Sequence, residues 1–390
     1  MKKQIRIGMI GSGFAADLHA KSYAQVHGCE VVLRAVASLD DGLEAFAARF
    51  GFERTCRDYH ELLADPEIDI IDIIAPPYLH ASMVTDALRS GKHVICEKPL
   101  IGYFGLPGYE TAGGDSKAHM LENVRAQLAA LRTEVEQAQG LFMYAENFIY
   151  APAVQRSLQM MEAEQSRILF MRAEESHSGS HAGHAAAWKY SGGGAFIRQG
   201  CHPLSAVLYL KRRQAEYLGE QPPKVVSVVA DVGVAAACLS EEEHRYIQSH
   251  PVDVEDIANV LLTFSDGTKA IVMAGDMVVG GVRNLVEIYT NKSVHHCNLA
   301  PNSGMIVYHE DNQGLEQVYF TEKLGNKTGW QPVFLEEERM RGYIDELQDF
   351  VECAAENRSP HSDFDLACDT TELIYAAYLS AAEGRRVMLP

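Results

Sequence analysis

Over the first hundred residues, short apolar runs alternate with amphipathic stretches. Ile5–Ile10 reads as a strand, Phe14–Val26 as a helix and Glu30–Ala37 as a second strand. Gly42–Phe50 is helical, Tyr59–Ala64 is a short helical turn, and Asp69–Ala75 is a strand apolar on both faces. His80–Ser90 is a helix stopped by Gly91, and His93–Glu97 is another strand. Strands that alternate with helices predict parallel βαβ units and an open, doubly wound parallel sheet.

The character changes after Pro99. Ile101–His119 is rich in glycine and aromatic residues and has no period. It reads as a functional insertion, a lid or subunit arm, whose removal leaves the fold intact. A helix at Met120–Gln139 closes a first domain bounded at residues 1–140, and a strand at Leu141–Phe148 opens the second, residues 141–390. In that domain Arg167–Glu174, Lys224–Ala230, Ala258–Phe264, Lys269–Ala274, Leu285–Tyr289, Gly304–Tyr308 and Glu316–Phe320 read as extended, and Ser265-Asp266-Gly267 reads as a hairpin turn. This predicts an α+β domain with a large, mainly antiparallel open sheet. Helices follow at Glu336–Asn357 and 366–383, the latter stopped by Gly384 and returning towards the first domain. Ser240-x-x-Glu243 is a capping box.

Composition narrows the class. A chain of 390 residues, 47% hydrophobic and 22% charged, has the length for two domains with a buried core that needs neither disulfides nor a structural metal. A net charge of −19 argues against nucleic acid or anionic lipid as a main partner. No run approaches the ~20 apolar residues of a membrane span. Met1-Lys2-Lys3 imitates a signal peptide, but Arg6 interrupts the apolar run that follows. Cysteines without paired spacing match a reducing compartment and mostly buried thiols. The expectation is a cytoplasmic protein.

Gly11-Ser12-Gly13-Phe14-Ala15-Ala16 lies between the first strand and the first helix. Gly11 permits the tight turn, Gly13 lets the backbone approach a pyrophosphate, and Ala16 takes the third glycine's place at the helix–sheet contact. The first domain is therefore an α/β Rossmann domain with a dinucleotide site at Gly11, Gly13, Phe14 and Ala15. At the tip of the second strand stands Ser38, which tolerates either cofactor, and no arginine follows it. Asp40 is placed to reach the ribose. NAD is the expected cofactor, with NADP open.

Two segments, Ala75-Pro76-Pro77-Tyr78-Leu79-His80 and Gly91-Lys92-His93-Val94-Ile95-Cys96-Glu97-Lys98-Pro99, closely resemble the Gfo/Idh/MocA oxidoreductases, the glucose–fructose oxidoreductase and inositol dehydrogenase relatives. The resemblance covers nearly the whole chain, including Ser191-Gly192-Gly193-Gly194 and the C-terminal helix. It implies that Lys98 lies beside the nicotinamide and the substrate hydroxyl, and that a cis peptide precedes Pro99. It also implies a homodimer or homotetramer assembled through the open sheet face. The cofactor site then takes in Pro76, Pro77, His80, Glu97 and Lys98, with Asn147 as a carboxamide contact. The chemistry agrees: a dehydrogenase removes a hydroxyl proton as hydride leaves carbon, and a cation stabilises the developing alkoxide. Glu97 could hold that ammonium. Cys96 reads as a buried small hydrophobe.

The family's second motif places aspartate, glycine and histidine at alternate positions after a glycine triplet. Here Gly200 and His202 match, Arg198 stands where aspartate is usual, and Ser205 stands where a further aspartate is common. His202 carries over as the acid/base residue beside Lys98, but its carboxylate partner does not. Either another acid orients His202, or the proton route differs, or oxidoreductase activity is lost. Substrate contacts are assigned to Lys98, Glu174, His177, His181, Trp188, Arg198 and His202, with Trp188 stacking on a sugar ring and Arg198 able to bind an anionic group. His177, His181 and His184 match no closed metal site, and no metal is assigned.

The leading expectation is an NAD(P)-dependent oxidoreductase acting on a secondary hydroxyl or ketone of a sugar, glycoside or cyclitol. Two others stand beside it: an NAD-dependent glycosidase using transient oxidation and elimination, and a non-catalytic nucleotide-binding sensor or partner protein.

Overall fold

The computed structural model describes residues 3–390 except 107–110, 181, 301–304, 312, 314, 316, 317, 319, 321–326, 334 and 335. His181 and most of the strand expected at Glu316–Phe320 therefore lie outside the described residues, as does the side chain of His184.

The first domain runs β1 (Gln4–Ile10), α1 (Phe14–Tyr23), β2 (Glu30–Ala37), α2 (Leu43–Phe50), β3 (Arg54–Cys56), α3 (His60–Leu63), β4 (Ile70–Ile73), α4 (His80–Arg89), β5 (His93–Glu97), α5 (Lys117–Gln137) and β6 (Phe142–Ala145). Its strands form a six-stranded parallel sheet in the order β3-β2-β1-β4-β5-β6. This is the Rossmann order, which places ligands outside the carboxyl ends of the strands where the order reverses. Burial explains the apolar runs: β4 and β5 have helices on both faces and bury Ile70, Ile71, Ile73, Val94 and Ile95 completely.

The second domain continues with α6 (Pro152–Glu164), β7 (Ile168–Ser176), α7 (Trp188–Ser191), α8 (Cys201–Leu218), β8 (Val225–Gly233), β9 (Ile257–Phe264), β10 (Lys269–Gly275), β11 (Arg283–Thr290), β12 (Val294–Asn298), β13 (Ile306–His309), β14 (Gly329–Pro332), α9 (Glu337–Met340), α10 (Tyr343–Glu356), α11 (Phe364–Glu383) and β15 (Val387–Met388). Seven strands pair in the order β12-β11-β7-β10-β9-β8-β15. Only β7 and β10 run parallel; the other pairs are antiparallel. The Ser265–Gly267 turn joins β9 to β10, with Gly267 in the left-handed region. α11 packs along α5, where Arg125 pairs with Glu372 and Arg132 with Asp365, and so ties the C-terminal helix to the first domain.

Three expectations need correction. The strand expected to open the second domain, β6, pairs with β5 as the sixth strand of the first sheet, so that sheet runs past residue 140. The helix read as Glu336–Asn357 is broken at Gly342, which adopts a φ of +97° and separates α9 from α10. The segment after Pro99 is not a detachable arm. Ile101, Tyr103 and Ala112 are buried, and the Tyr103 N–H donates to the Tyr375 hydroxyl at 2.6 Å. The N–H groups of Ala112 and Gly113 donate to Asp253 at 3.2 and 2.9 Å. These three residues belong to the core, and deleting the segment would open that core and orphan these partners.

All eight cysteines are free, six of them buried. No helix among the described residues is long and apolar enough to cross a membrane.

Candidate active site

The glycine turn between β1 and α1 has the form a pyrophosphate cradle requires. Gly11 has a φ of +117°, and a Cβ there would lie 2.3 Å from the Ile74 carbonyl oxygen, so only glycine fits. A Cβ at Gly13 would meet nothing within 4 Å. Gly13 is also the N-cap of α1 and offers no side-chain cap, so the first-turn N–H groups face open space with the positive end of the helix dipole behind them. Phe14 is exposed, Ala15 is half-buried, and Ala16 is buried at the sheet contact. The residues present fit a dinucleotide.

Lys98 leaves the carboxyl end of β5, and the Lys98–Pro99 peptide is cis. Its ammonium donates to the Arg198 carbonyl at 2.8 Å. Burial alone would pull the lysine pKa down, but the Cys201 sulfur and the carboxylates of Glu97, Glu175 and Glu146 outweigh it and hold the group above its ordinary value. Glu97 does not grip the ammonium. One of its oxygens accepts the Lys98 backbone N–H at 2.9 Å and the other contacts His19 Nε2 at 3.2 Å. It fixes the main chain beneath Lys98.

His202 stands in the first turn of α8, behind a π-helical turn at Phe196–Gly200. Its ring stacks on Phe148 at 5.0 Å, and Nδ1 lies 2.7 Å from Glu146 Oε1. Glu146, immediately after β6, is therefore the acid that orients His202. Glu175 comes within 3.9 Å of Nε2 from β7, and Arg341 lies 3.5 Å from its other oxygen. Three strands from two sheets, β5, β6 and β7, and the helix α8 thus converge on one largely buried cluster.

The glycine triplet is held from behind. The Glu255 carboxylate accepts the N–H groups of Gly194 and Phe196 and the Tyr378 hydroxyl at 2.8–2.9 Å. A Cβ on Gly194 would lie 1.9 Å from the Glu255 carbonyl oxygen, which explains the glycine.

Other assigned residues are placed differently. His80 is wholly buried with its two ring nitrogens 2.8 Å from the carbonyls of Pro99 and Ala75, so it pins the Lys98–Pro99 bend from behind. Asn147 is buried and donates to the Arg341 carbonyl at 2.8 Å, bracing the junction with α10. Trp188 is 3% exposed, with its indole N–H on the Tyr103 carbonyl, the Lys117 ammonium over one face and Tyr378 5.0 Å away. No face is left for a sugar. Glu174 points to the opposite side of β7 from Glu175 and pairs with Arg283 at 2.9 Å. Strand alternation was the available signal, since Ala173, Glu175 and His177 share one face. His177 accepts from the Gly179 N–H at 3.0 Å and lies 3.8 Å from Asp276. Arg198 turns its guanidinium onto Asp276, to which Gln199 also donates, so it presents only its carbonyl to Lys98. Ser205 bonds Thr370 at 2.8 Å and ties α8 to α11. Pro76 and Pro77 remain at the surface beyond β4, and Ser38 lies half-buried at the tip of β2. Asp40 is exposed but spends its carboxylate on the Gly42 N–H at 2.6 Å.

Glu146, Cys201 and His202 bring donor atoms within 4.8 Å of one another. A cation there would have to break the His202–Glu146 bond beside the Lys98 ammonium, so the geometry favours a hydrogen-bonded relay.

A phosphate-binding turn, a half-buried lysine at the strand end and an oriented histidine point to a nicotinamide-dependent oxidoreductase. Two family models match the chain: the oxidoreductase family with an NAD-binding Rossmann fold over residues 5–103, and the GFO/IDH/MocA C-terminal domain over residues 163–294. The chain belongs to the Gfo/Idh/MocA family and is an NAD-dependent enzyme acting on CH–OH groups. It is 25% identical over 345 residues to the levoglucosan dehydrogenase of Pseudarthrobacter phenanthrenivorans, covering 85% of this chain and 80% of that one. To the myo-inositol 2-dehydrogenase of Thermotoga maritima it is 32% identical over 97 residues, 25% of this chain and 29% of that enzyme. Among solved structures, GenD2 from gentamicin A biosynthesis in complex with NAD matches with a TM-score of 0.77 at 23% identity, covering 100% of this chain and 97% of that one. A levoglucosan dehydrogenase in complex with NADH and L-sorbose gives a TM-score of 0.71 at 21% identity, with 100% and 99% covered.

Proposed function

We propose that this chain transfers hydride between a nicotinamide cofactor and a secondary hydroxyl or ketone of a sugar, glycoside or cyclitol. The observation that carries the proposal is that the Glu146 carboxylate, which orients His202, also acts on the half-buried Lys98 ammonium at the carboxyl end of β5. The nicotinamide, when bound, supplies the hydride acceptor or donor.

The protein's own groups handle the proton. Lys98 spends one N–H on the Arg198 carbonyl and has two left to donate to the substrate oxygen, where they stabilise the forming alkoxide. With Nδ1–H donated to Glu146, His202 presents the lone pair of Nε2 and accepts the hydroxyl proton. The imidazolium so formed is neutralised by the carboxylate 2.7 Å away. Burial of His202, Glu146 and Glu175 keeps bulk water from that proton.

The test is an absorbance screen at 340 nm with NAD and a panel headed by levoglucosan, L-sorbose and myo-inositol, extended to aryl glycosides. Net NADH formation on a secondary alcohol is the expected result. Aglycone release without net NADH would replace this reading with the transient-oxidation glycosidase. Tight cofactor binding with no turnover in either direction would replace it with the sensor.

A further inference from the structure

The edge of the first sheet carries an arrangement absent from linear sequence. No arginine follows Ser38 along the chain, yet β3 runs parallel to β2 and delivers Arg57, one residue past its end, to the same spot. Arg57 Nη1 donates to the carbonyls of Ser38 and Asp40 at 3.2 and 2.6 Å. Among the described residues its Nε and Nη2 make no hydrogen bond or ion pair. The neighbouring acids are otherwise engaged: Asp58 holds His60, Glu44 accepts from Thr55, and Asp40 closes the turn into α2. The Ser38 hydroxyl accepts from Ser12 Oγ at 2.9 Å and from the Asp40 N–H at 3.1 Å, which leaves its own proton to donate outward.

In a sheet of this order the tip of β2 faces the adenosine ribose. A carboxylate there accepts the 2′-hydroxyl and repels a 2′-phosphate, whereas a guanidinium accommodates the phosphate. The tip here offers the Ser38 hydroxyl proton, oriented by the Ser12 hydroxyl, and an arginine fork with donors to spare. We propose that Arg57, with Ser38 and Ser12, forms a 2′-phosphate pocket, so that the enzyme accepts NADP as well as NAD. Asp40 and Asp41 beside it oppose the phosphate and keep the preference small. The inference rests on the dinucleotide site of the family and not on the substrate.

The experiment is a titration of the purified full chain with NADH and NADPH, read by cofactor fluorescence without turnover. Wild-type dissociation constants within about tenfold of each other are expected. Arg57→Ala should weaken NADPH about tenfold or more while leaving NADH within about twofold. Arg57→Lys should fall between, having the charge without the fork. Asp40→Asn retains the bond to Gly42 and removes the charge, so it should tighten NADPH severalfold. Inhibition of NADPH binding by 2′,5′-ADP should weaken in Arg57→Ala. NADPH binding to the wild type more than about a hundredfold weaker than NADH, or equal effects of Arg57→Ala on both cofactors, would overturn the proposal. Because binding is read directly, a failed substrate screen leaves this result intact, and a failure here leaves the dehydrogenase reading intact.

Discussion

Replacing Glu146 by glutamine separates its electrostatic role from its packing role. The amide keeps the shape and still accepts a hydrogen bond from His202, so the 2.7 Å contact survives while its charge goes. Two unit charges about 4 Å apart attract by about 4 kcal/mol at an effective dielectric near 20. The retained neutral hydrogen bond returns about 1 kcal/mol. The imidazolium formed during oxidation then loses about 3 kcal/mol of stabilisation, a fall in kcat of about a hundredfold. Ground-state folding responds differently. Glu146 is fully buried and its Oε2 has no hydrogen-bond partner, so removing the charge should leave Tm unchanged or raise it. Steady-state kinetics, NADH titration and thermal melting on the same preparation make the assay. A slow, stable variant with unchanged NADH affinity is the expected result. A variant that keeps kcat within about threefold would refute the relay, because general acid–base steps are commonly worth ~10²–10⁴ in rate.

Lys98→Met should lower kcat by orders of magnitude with little change in NADH affinity; a rate near wild type would remove the ammonium from the reaction. Gly13→Asp places a carboxylate in the open space above α1 and should abolish NADH binding in a chain whose circular dichroism is unchanged; undiminished titration would move the cofactor elsewhere. His19 is fully buried, and although burial lowers its pKa, Asp72 and Glu97 outweigh that and hold it well above 6.5. Its stabilisation is therefore complete below about pH 6.5 and lost as pH rises through the raised folded value. His19→Gln should lower Tm most at acid pH and converge with wild type at alkaline pH, and parallel Tm profiles would rule out the charged ring.

Much of the first sheet was legible because its strands are short, apolar and punctuated by helices. Glu30–Ala37 and His93–Glu97 have the expected bounds, while β3 was missed because three residues carry no period. Two long helices, α6 and α8, were also missed. Each has a proline in its first turn, Pro152 and Pro203, the signal that would have found them. The site was legible where a motif is local, as at Gly11–Gly13 and Glu97–Pro99. It was not legible where a partner is remote: Glu146 meets His202 across 56 positions and Arg198 meets Asp276 across 78. Trp188 and Asn147 were read as ligand contacts because exposure cannot be seen in a sequence; both are buried, with N–H groups on the Tyr103 and Arg341 carbonyls.

The exchange at Arg198 becomes intelligible once both partners are known. A guanidinium near His202 would disfavour the imidazolium, and it is kept from that role by Asp276, just beyond the end of β10. The carboxylate missing from the second domain comes instead from the first, because Glu146 extends directly from β6. The proposed proton-carrying pair therefore spans the domain junction, and its geometry is only as firm as that junction. Asn147 on Arg341, the Tyr144 N–H on the Ser362 carbonyl at 2.9 Å and Tyr150 on Asp349 at 2.7 Å lock the stretch that carries Glu146 against the C-terminal segment. These braces hold the Glu146 carboxylate on His202 while the Arg198 guanidinium is held away on Asp276.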